Sequence, residues 1–365
     1  MTAPQKILMI KSHSPGIGDI LRSSAGWRAL KNRFPEADLY LLLLTKEPGY
    51  VSEKLISRHH LLKGFFVVDK RMKEIGGWRV FLDEIEKIVE AVKPDLVIDF
   101  DPYGLRTSLI CLWLRAKYHV TAVGVNEVPL RGFFYSISSP SHKKFAKERD
   151  LFHLQRDKKF RLEYSYRDFV VLSALKIERQ AIPIELEETP EGRKFRMEFR
   201  KRFGIPEDMG ILGVNIGCGT PDALHRRPDL KLLSSLIGHL QKKFGLVVVL
   251  TGAQFEKTIT EEFIKFHSKK YPGCIYNLAG ATDILELPGF LNACNLFVSS
   301  DSGPYHIAVA LKVPTLALFN YDNKIHYHTH PWVACRVMRT EEDIPSLVRD
   351  AEKLLKSVTG PEMAV

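Results

Sequence analysis

The chain has 365 residues, 45% hydrophobic and 26% charged, with a formal net charge of +10. That length predicts two domains, each able to bury its own core, and the charge points to an anionic partner. Its longest apolar runs, 39–44 and 246–250, fall far short of the ~20 residues that span a bilayer, and the N-terminal run 7–10 is interrupted at once by Lys11; the reading is a cytoplasmic chain with neither transmembrane helix nor secretory signal.

In chain order, short aliphatic runs alternate with amphipathic stretches. Strands are predicted at 7–10, 39–44, 65–68, 96–100 and 120–125, and helices at 20–33, 78–92 and 105–114. Alternation of this kind indicates parallel strands with crossover helices. Residues 131–170 break the pattern with ten Lys/Arg against five Asp/Glu, interleaved with Phe133, Phe134, Tyr135, Phe145, Phe152 and Phe160. The tract reads equally as a solvated connection or as a patch for an anionic or membrane partner.

A charged helix follows at 191–203, and the alternation restarts. Strands fall at 211–216, 246–250, 296–299 and 315–319, with helices at 229–244, 256–269 and 304–311. The last helix, within 341–358, has no strand after it and is expected to pack back on the first domain. The fold class is therefore α/β, two Rossmann-like domains facing each other across a cleft: 1–190, 191–340 and a C-terminal helical segment at 341–365. Ligands in such sheets bind beyond the carboxyl ends of the strands, so loops 12–19, 217–227, 252–256 and 301–306 are expected to face that cleft.

Three of these loops carry chemistry. "SSDSGPYHIAVALKVPTLALF" (299–319) runs from a strand through a tight turn into a helix with Pro304 near its start, where free N–H groups attract a diphosphate. Read more plainly, it is a capped helix with Asp301 or Ser302 as the cap. "NIGCGTPDALHRRP" (215–228) adds a glycine turn and two guanidiniums, Arg226 and Arg227, suited to bidentate phosphate contact. In "LTGAQFEK" (250–257) Glu256 is placed either to accept from ribose hydroxyls or simply to favour a helix start. His326, His328 and His330 alternate as on a strand, but lack an accompanying metal-ligand spacing; no metal is expected, and exposed loop histidines are the preferred reading. The five cysteines are scattered, with no C-x-x-C pair, and read as buried free thiols. No helix-turn-helix, zinc-finger or RNA-recognition signature supports a nucleic-acid partner.

K-I-L-M-I-K at 6–11, G-I-G-D-I-L at 16–21, the glycine loop leading to R-R-P at 226–228, T-G-A-Q-F-E at 251–256 and D-S-G-P-Y-H at 301–306 occur in that order. In this combination the chain resembles the glycosyltransferase family 9 heptosyltransferases, which build the inner core of lipopolysaccharide. The resemblance implies the GT-B fold, an inverting transfer without metal or cofactor, and an ADP-heptose donor held mainly by the C-terminal domain. By it Asp19 matches the general base, beside an acceptor loop containing Gly16 and Gly18. Asp301, Ser302, Gly303 and His306 match the diphosphate-binding turn, Glu256 the acid near the ribose, and Thr220 and Arg226 the phosphate-contacting loop.

Family members read K-x-W-P or K-R-W-P where this chain has His225-Arg226-Arg227-Pro228, which moves charge compensation to Arg226 or Arg227. The expected partners are the sugar nucleotide and an anionic glycolipid acceptor. Lys143, Lys144, Lys158 and Lys159 form the expected acceptor or membrane patch, in peripheral contact with the inner face of the cytoplasmic membrane. Other readings are a family 9 enzyme with another donor, a GT-B sugar-nucleotide epimerase and a non-catalytic sugar-nucleotide binding protein.

Overall fold

A computed structural model describes residues 3–12, 16–151, 164–179, 182–217, 225–322 and 324–359. Its contacts divide the chain into two compact units, Met1–Ile184 and Glu185–Val365, so the boundary falls at 184/185 rather than 190/191.

The first unit holds a six-stranded sheet of β1 (Lys6–Ser12), β2 (Asp38–Thr45), β3 (Gly64–Asp69), β4 (Leu96–Asp99), β5 (Thr121–Val125) and β6 (Ile137–Ser139). Its order is β3-β2-β1-β4-β5-β6 and all five pairings are parallel. Helices cover both faces of such a sheet, so its central strands read as unbroken apolar runs; Ile7, Leu8, Met9 and Ile10 are all completely buried. The helix Gly77–Val92 buries Phe81, Ile85, Val89 and Val92, a single stripe at helical spacing.

The second unit repeats the plan with β7 (Ile211–Asn215), β8 (Val247–Thr251), β9 (Ile275–Asn277), β10 (Leu296–Ser300), β11 (Thr315–Phe319) and β12 (Val333–Val337). The order β12-β11-β10-β7-β8-β9 is the first unit's order over again, 3-2-1-4-5-6 when each sheet is counted from its own first strand. Local signals fix its helices. Asp229 accepts from the N–H groups of Lys231 and Leu232 (2.8 and 3.0 Å) at the start of Leu230–Phe244, which ends at Gly245 with φ +66°. Thr189 caps Pro190–Phe203 through the Gly192 N–H.

Two expectations are corrected. The helix Ile344–Thr359, expected to pack back on the first domain, buries Ile344, Leu347, Ala351 and Leu354 in the core of the second unit, against Leu236, Leu240 and Leu316 among others. The predicted helix 20–33 is two helices, Ile17–Leu21 and Ser24–Arg33, joined by Arg22 and Ser23. Three strands are additions to the sequence reading: β6, β9 and β12, all at sheet edges.

Candidate active site

In the second unit the ends of β7, β8, β10 and β11 bring the predicted loops together. Ser302, just past β10, turns its hydroxyl inward, donating to Asn215 Oδ1 (3.0 Å) and meeting Ser299 Oγ (3.2 Å). Asn215 in turn donates Nδ2 to the Thr251 carbonyl at the end of β8 (3.3 Å). Ser302 occupies the N-cap position of the helix Gly303–Ala310 but makes no side-chain cap bond there, so the helix's first N–H groups are not closed off by their own cap. The plain reading of Ser302 as a capping side chain is thereby corrected, and the helix start keeps the anion-binding character of its dipole.

Asp301 is buried, and its carboxylate gathers bases around it. Oδ2 lies 2.6 Å from His326 Nδ1 and 3.5 Å from Arg226 Nη1, while Oδ1 is 4.0 Å from His306 Nε2. A carboxylate so placed does not itself hold a phosphate; it orients the guanidinium and the imidazoles that can. The backbone beside Arg226 is pinned from β11's end, where Asn320 Nδ2 donates to the carbonyls of His225 (2.8 Å) and Arg227 (2.5 Å). The Nε atoms of Arg226 and Arg227 are buried with no hydrogen-bond partner among the described residues. Thr220 lies outside the described residues.

The expectation of exposed loop histidines is corrected for all three, each of which is half-buried. His326 meets Asp301, and His328 Nε2 lies 2.9 Å from Nδ1 of the buried His306. His330 stacks between the rings of His328 and Trp332. Among the described residues no group of three or more His, Cys, Asp or Glu is arranged to hold a metal.

Glu256 is buried, and its Oε2 accepts from the Ala253 N–H (2.8 Å), so it stabilises its own helix start. Its carboxylate also lies directly over Gly217, where a Cβ would come within 1.5 Å of Oε1; only glycine admits that approach. The Gly217 carbonyl accepts from Ser300 Oγ (2.6 Å), which ties the loop after β7 to the end of β10.

In the first unit Gly16 precedes the short helix Ile17–Leu21, and Asp19 is half-buried in its first turn, with its N–H donating to the Gly16 carbonyl (3.1 Å). Gly16 has φ −56° and Gly18 is helical, so neither is there for a left-handed backbone. Behind the loop, buried Lys11 donates Nζ to Ser23 Oγ (2.5 Å) and pairs with Asp168 at 3.8 Å.

Residues 233–352, about a third of the chain and all within the second unit, match the family described as glycosyltransferase family 9 (heptosyltransferase). The family likeness in sequence is thus carried by that segment of the second unit. It is 25% identical over 140 residues to a lipooligosaccharide heptosyltransferase 2 of Campylobacter jejuni, a match covering 38% of this chain and 42% of that relative. The chain thus matches about two fifths of the length of such curated relatives. Solved structures extend the likeness of fold to both units. A Veillonella parvula family 9 glycosyltransferase superposes with a TM-score of 0.71 at 18% identity, covering 97% of each chain. The Escherichia coli ADP-heptose LPS heptosyltransferase II gives 0.65 at 18% identity, covering 97% of this chain and 100% of that one. The two parallel sheets are those of a GT-B fold.

The basic tract is less of a surface than its sequence suggests. Arg131 is completely buried and donates to Asp99 Oδ2 (2.9 Å) and to the carbonyls of Pro102, Asp101 and Val125. Tyr135 donates to the same Asp99 oxygen (2.7 Å). Burial pushes the Asp99 carboxyl up to about 6, outweighing the pull of Arg131. Phe145 is also buried, beneath the Arg149 guanidinium at 4.0 Å. Lys143 and Lys144 are exposed, whereas Lys158 and Lys159 lie outside the described residues. The thiols are corrected in part: Cys111 and Cys294 are buried, but Cys274 is exposed and Cys335 half-buried. Among the described residues no helix is long and apolar enough to cross a membrane.

Proposed function

We propose that the chain is an inverting, metal-independent glycosyltransferase that moves heptose from ADP-heptose to a lipopolysaccharide inner-core or related glycolipid acceptor. The observation that carries this reading is the convergence of Arg226, His306 and His326 on Asp301, beside a helix start that its own N-cap side chain leaves open. Cations and oriented N–H groups placed together suit the diphosphate of a leaving nucleotide, whose growing charge they stabilise. Ser302, Gly303, Glu256 and Thr220 are assigned to the donor side, and the first unit, with Gly16, Gly18, Lys143, Lys144, Lys158 and Lys159, to the acceptor side at the inner face of the cytoplasmic membrane. The family match over residues 233–352 and the donor named for the similar E. coli structure support this division.

Asp19 acts as general base. It takes the proton from an acceptor hydroxyl as that oxygen attacks the anomeric carbon, and the C–O bond to ADP breaks on the opposite face. Proton transfer of this kind contributes typically 10²–10⁴-fold. Asp19→Ala is therefore expected to slow transfer by about that factor while ADP-heptose still raises the melting temperature. Mass spectrometry of the acceptor, with ADP-heptose and other sugar nucleotides offered in turn, checks both parts. Turnover near the parent rate removes Asp19 from the mechanism, and transfer from a different donor moves the assignment within the family.

A further inference from the structure

The helix Leu105–Tyr118 buries Thr107, Ser108, Ile110, Cys111 and Leu114 toward its sheet. Its outer side carries Leu105, Leu109 and Leu112, exposed at 51, 46 and 39%. Steps of four and three residues set these leucines in one line along one face. One turn further on, Arg115 Nη1 donates to the Phe133 carbonyl (3.3 Å), which joins that line to the turn Arg131–Phe134. There Phe133 is 77% exposed and the preceding Leu130 is 70% exposed. Leu130 also has φ +69°, a left-handed conformation that costs an L-residue about 1–2 kcal/mol. Strain spent on a leucine that faces water has no account in the packing of this unit.

The margin of this face is cationic. Arg106 is exposed beside Leu105, and the Tyr103 ring stacks on His142 at 6.3 Å, bringing the exposed Lys143 and Lys144 to the same end of the helix. Nearby acids are engaged: Asp101 accepts from the N–H groups of Tyr103 and Gly104, Glu127 from the His142 N–H, and Glu148 pairs with Lys144 at 3.8 Å.

We infer that this face docks on the surface of an anionic lipid bilayer. The three leucines, Leu130 and Phe133 enter the boundary between headgroups and acyl chains, and Arg106, Lys143 and Lys144 meet the headgroup phosphates. The form of the face favours a bilayer over a protein partner: its apolar groups protrude from a helix and a turn, and leucine seldom dominates protein interfaces. A fluid phase closes around such a ridge. The inference rests on the glycolipid acceptor proposed above, but moves the membrane-facing surface from a lysine patch to an apolar helix face with a basic rim.

The test is co-sedimentation of the full chain with vesicles of phosphatidylcholine, with and without phosphatidylglycerol. The parent chain is expected to bind the anionic vesicles, less so at high salt, and the Leu109→Glu/Phe133→Glu double variant to lose at least ~10-fold in partitioning with an unchanged melting temperature. If that variant fails to fold, Leu109→Ser/Phe133→Ser takes its place. A parent chain that ignores anionic vesicles, or a double variant that binds them equally well, overturns the inference. So does a parent dimer that the double variant converts to monomer without losing vesicle binding, which assigns the face to a second copy. These vesicles contain no glycolipid, so the outcome is independent of whether heptose transfer is found.

Discussion

The fourth strand of each sheet ends on an aspartate, Asp99 at the end of β4 and Asp301 just past β10, and the two have opposite surroundings. Asp99 is closed in by Arg131 and Tyr135, which are themselves buried, so its charge is used up inside the first unit. Asp301 is equally buried, but Arg226 and His326, which it holds, are partly exposed. One topological position, filled by one residue type, secures a fold in the first unit and presents a guanidinium and an imidazole in the second. The exposure of the partner decides between the two.

Substitutions can break that contrast. The largest effect is expected at Arg131→Met, which removes the arginine's hydrogen bonds from Asp99 and three carbonyls and costs about 3–5 kcal/mol in denaturant unfolding. It carries a pH signature as well. Because Asp99 binds its proton more tightly folded than unfolded, the stability it contributes is full below the usual carboxylate range and is lost as pH rises through about 6. Asp99→Asn should flatten that fall in a melting-temperature series, and Arg131→Met should move it to higher pH. Next comes Asp301→Asn, expected to weaken ADP-heptose binding about 10–100-fold with little change in unfolding, since it loosens Arg226 and His326 rather than the core. Calorimetry decides this, and a large stability loss with unchanged affinity would make the two aspartates alike. The smallest effect belongs to Asn320→Ala, which releases the carbonyls of His225 and Arg227 and is expected to cost donor binding about 1 kcal/mol.

The central strands were legible because burial on both faces leaves them uniformly apolar, as in Ile7–Ile10 and Leu246–Leu250. The edge strands β6, β9 and β12 were not, since short half-covered segments such as Ile275–Asn277 lack such a run. In the site, the glycine turns and Asp301 stood out as local patterns. His326 and His328 show only their mutual spacing in sequence, while the partners that explain them, Asp301 and His306, lie 25 and 22 positions earlier. Asn215 and Asn320 gave no signal at all, being single polar residues at strand ends whose partners come from other strands and loops. Arg131 misled for the opposite reason: in a run of bases it was counted as surface, although one buried acid at the end of β4 claims it.

The Asn320 side chain spans 95 and 93 positions of sequence to hold the carbonyls on either side of Arg226. The conformational entropy of that stretch of backbone is therefore lost when the unit folds, not when a ligand arrives. An arginine fixed in advance has little ordering left to do on binding, so more of its attraction to an anion is retained as affinity, and its guanidinium discriminates by position as well as by charge.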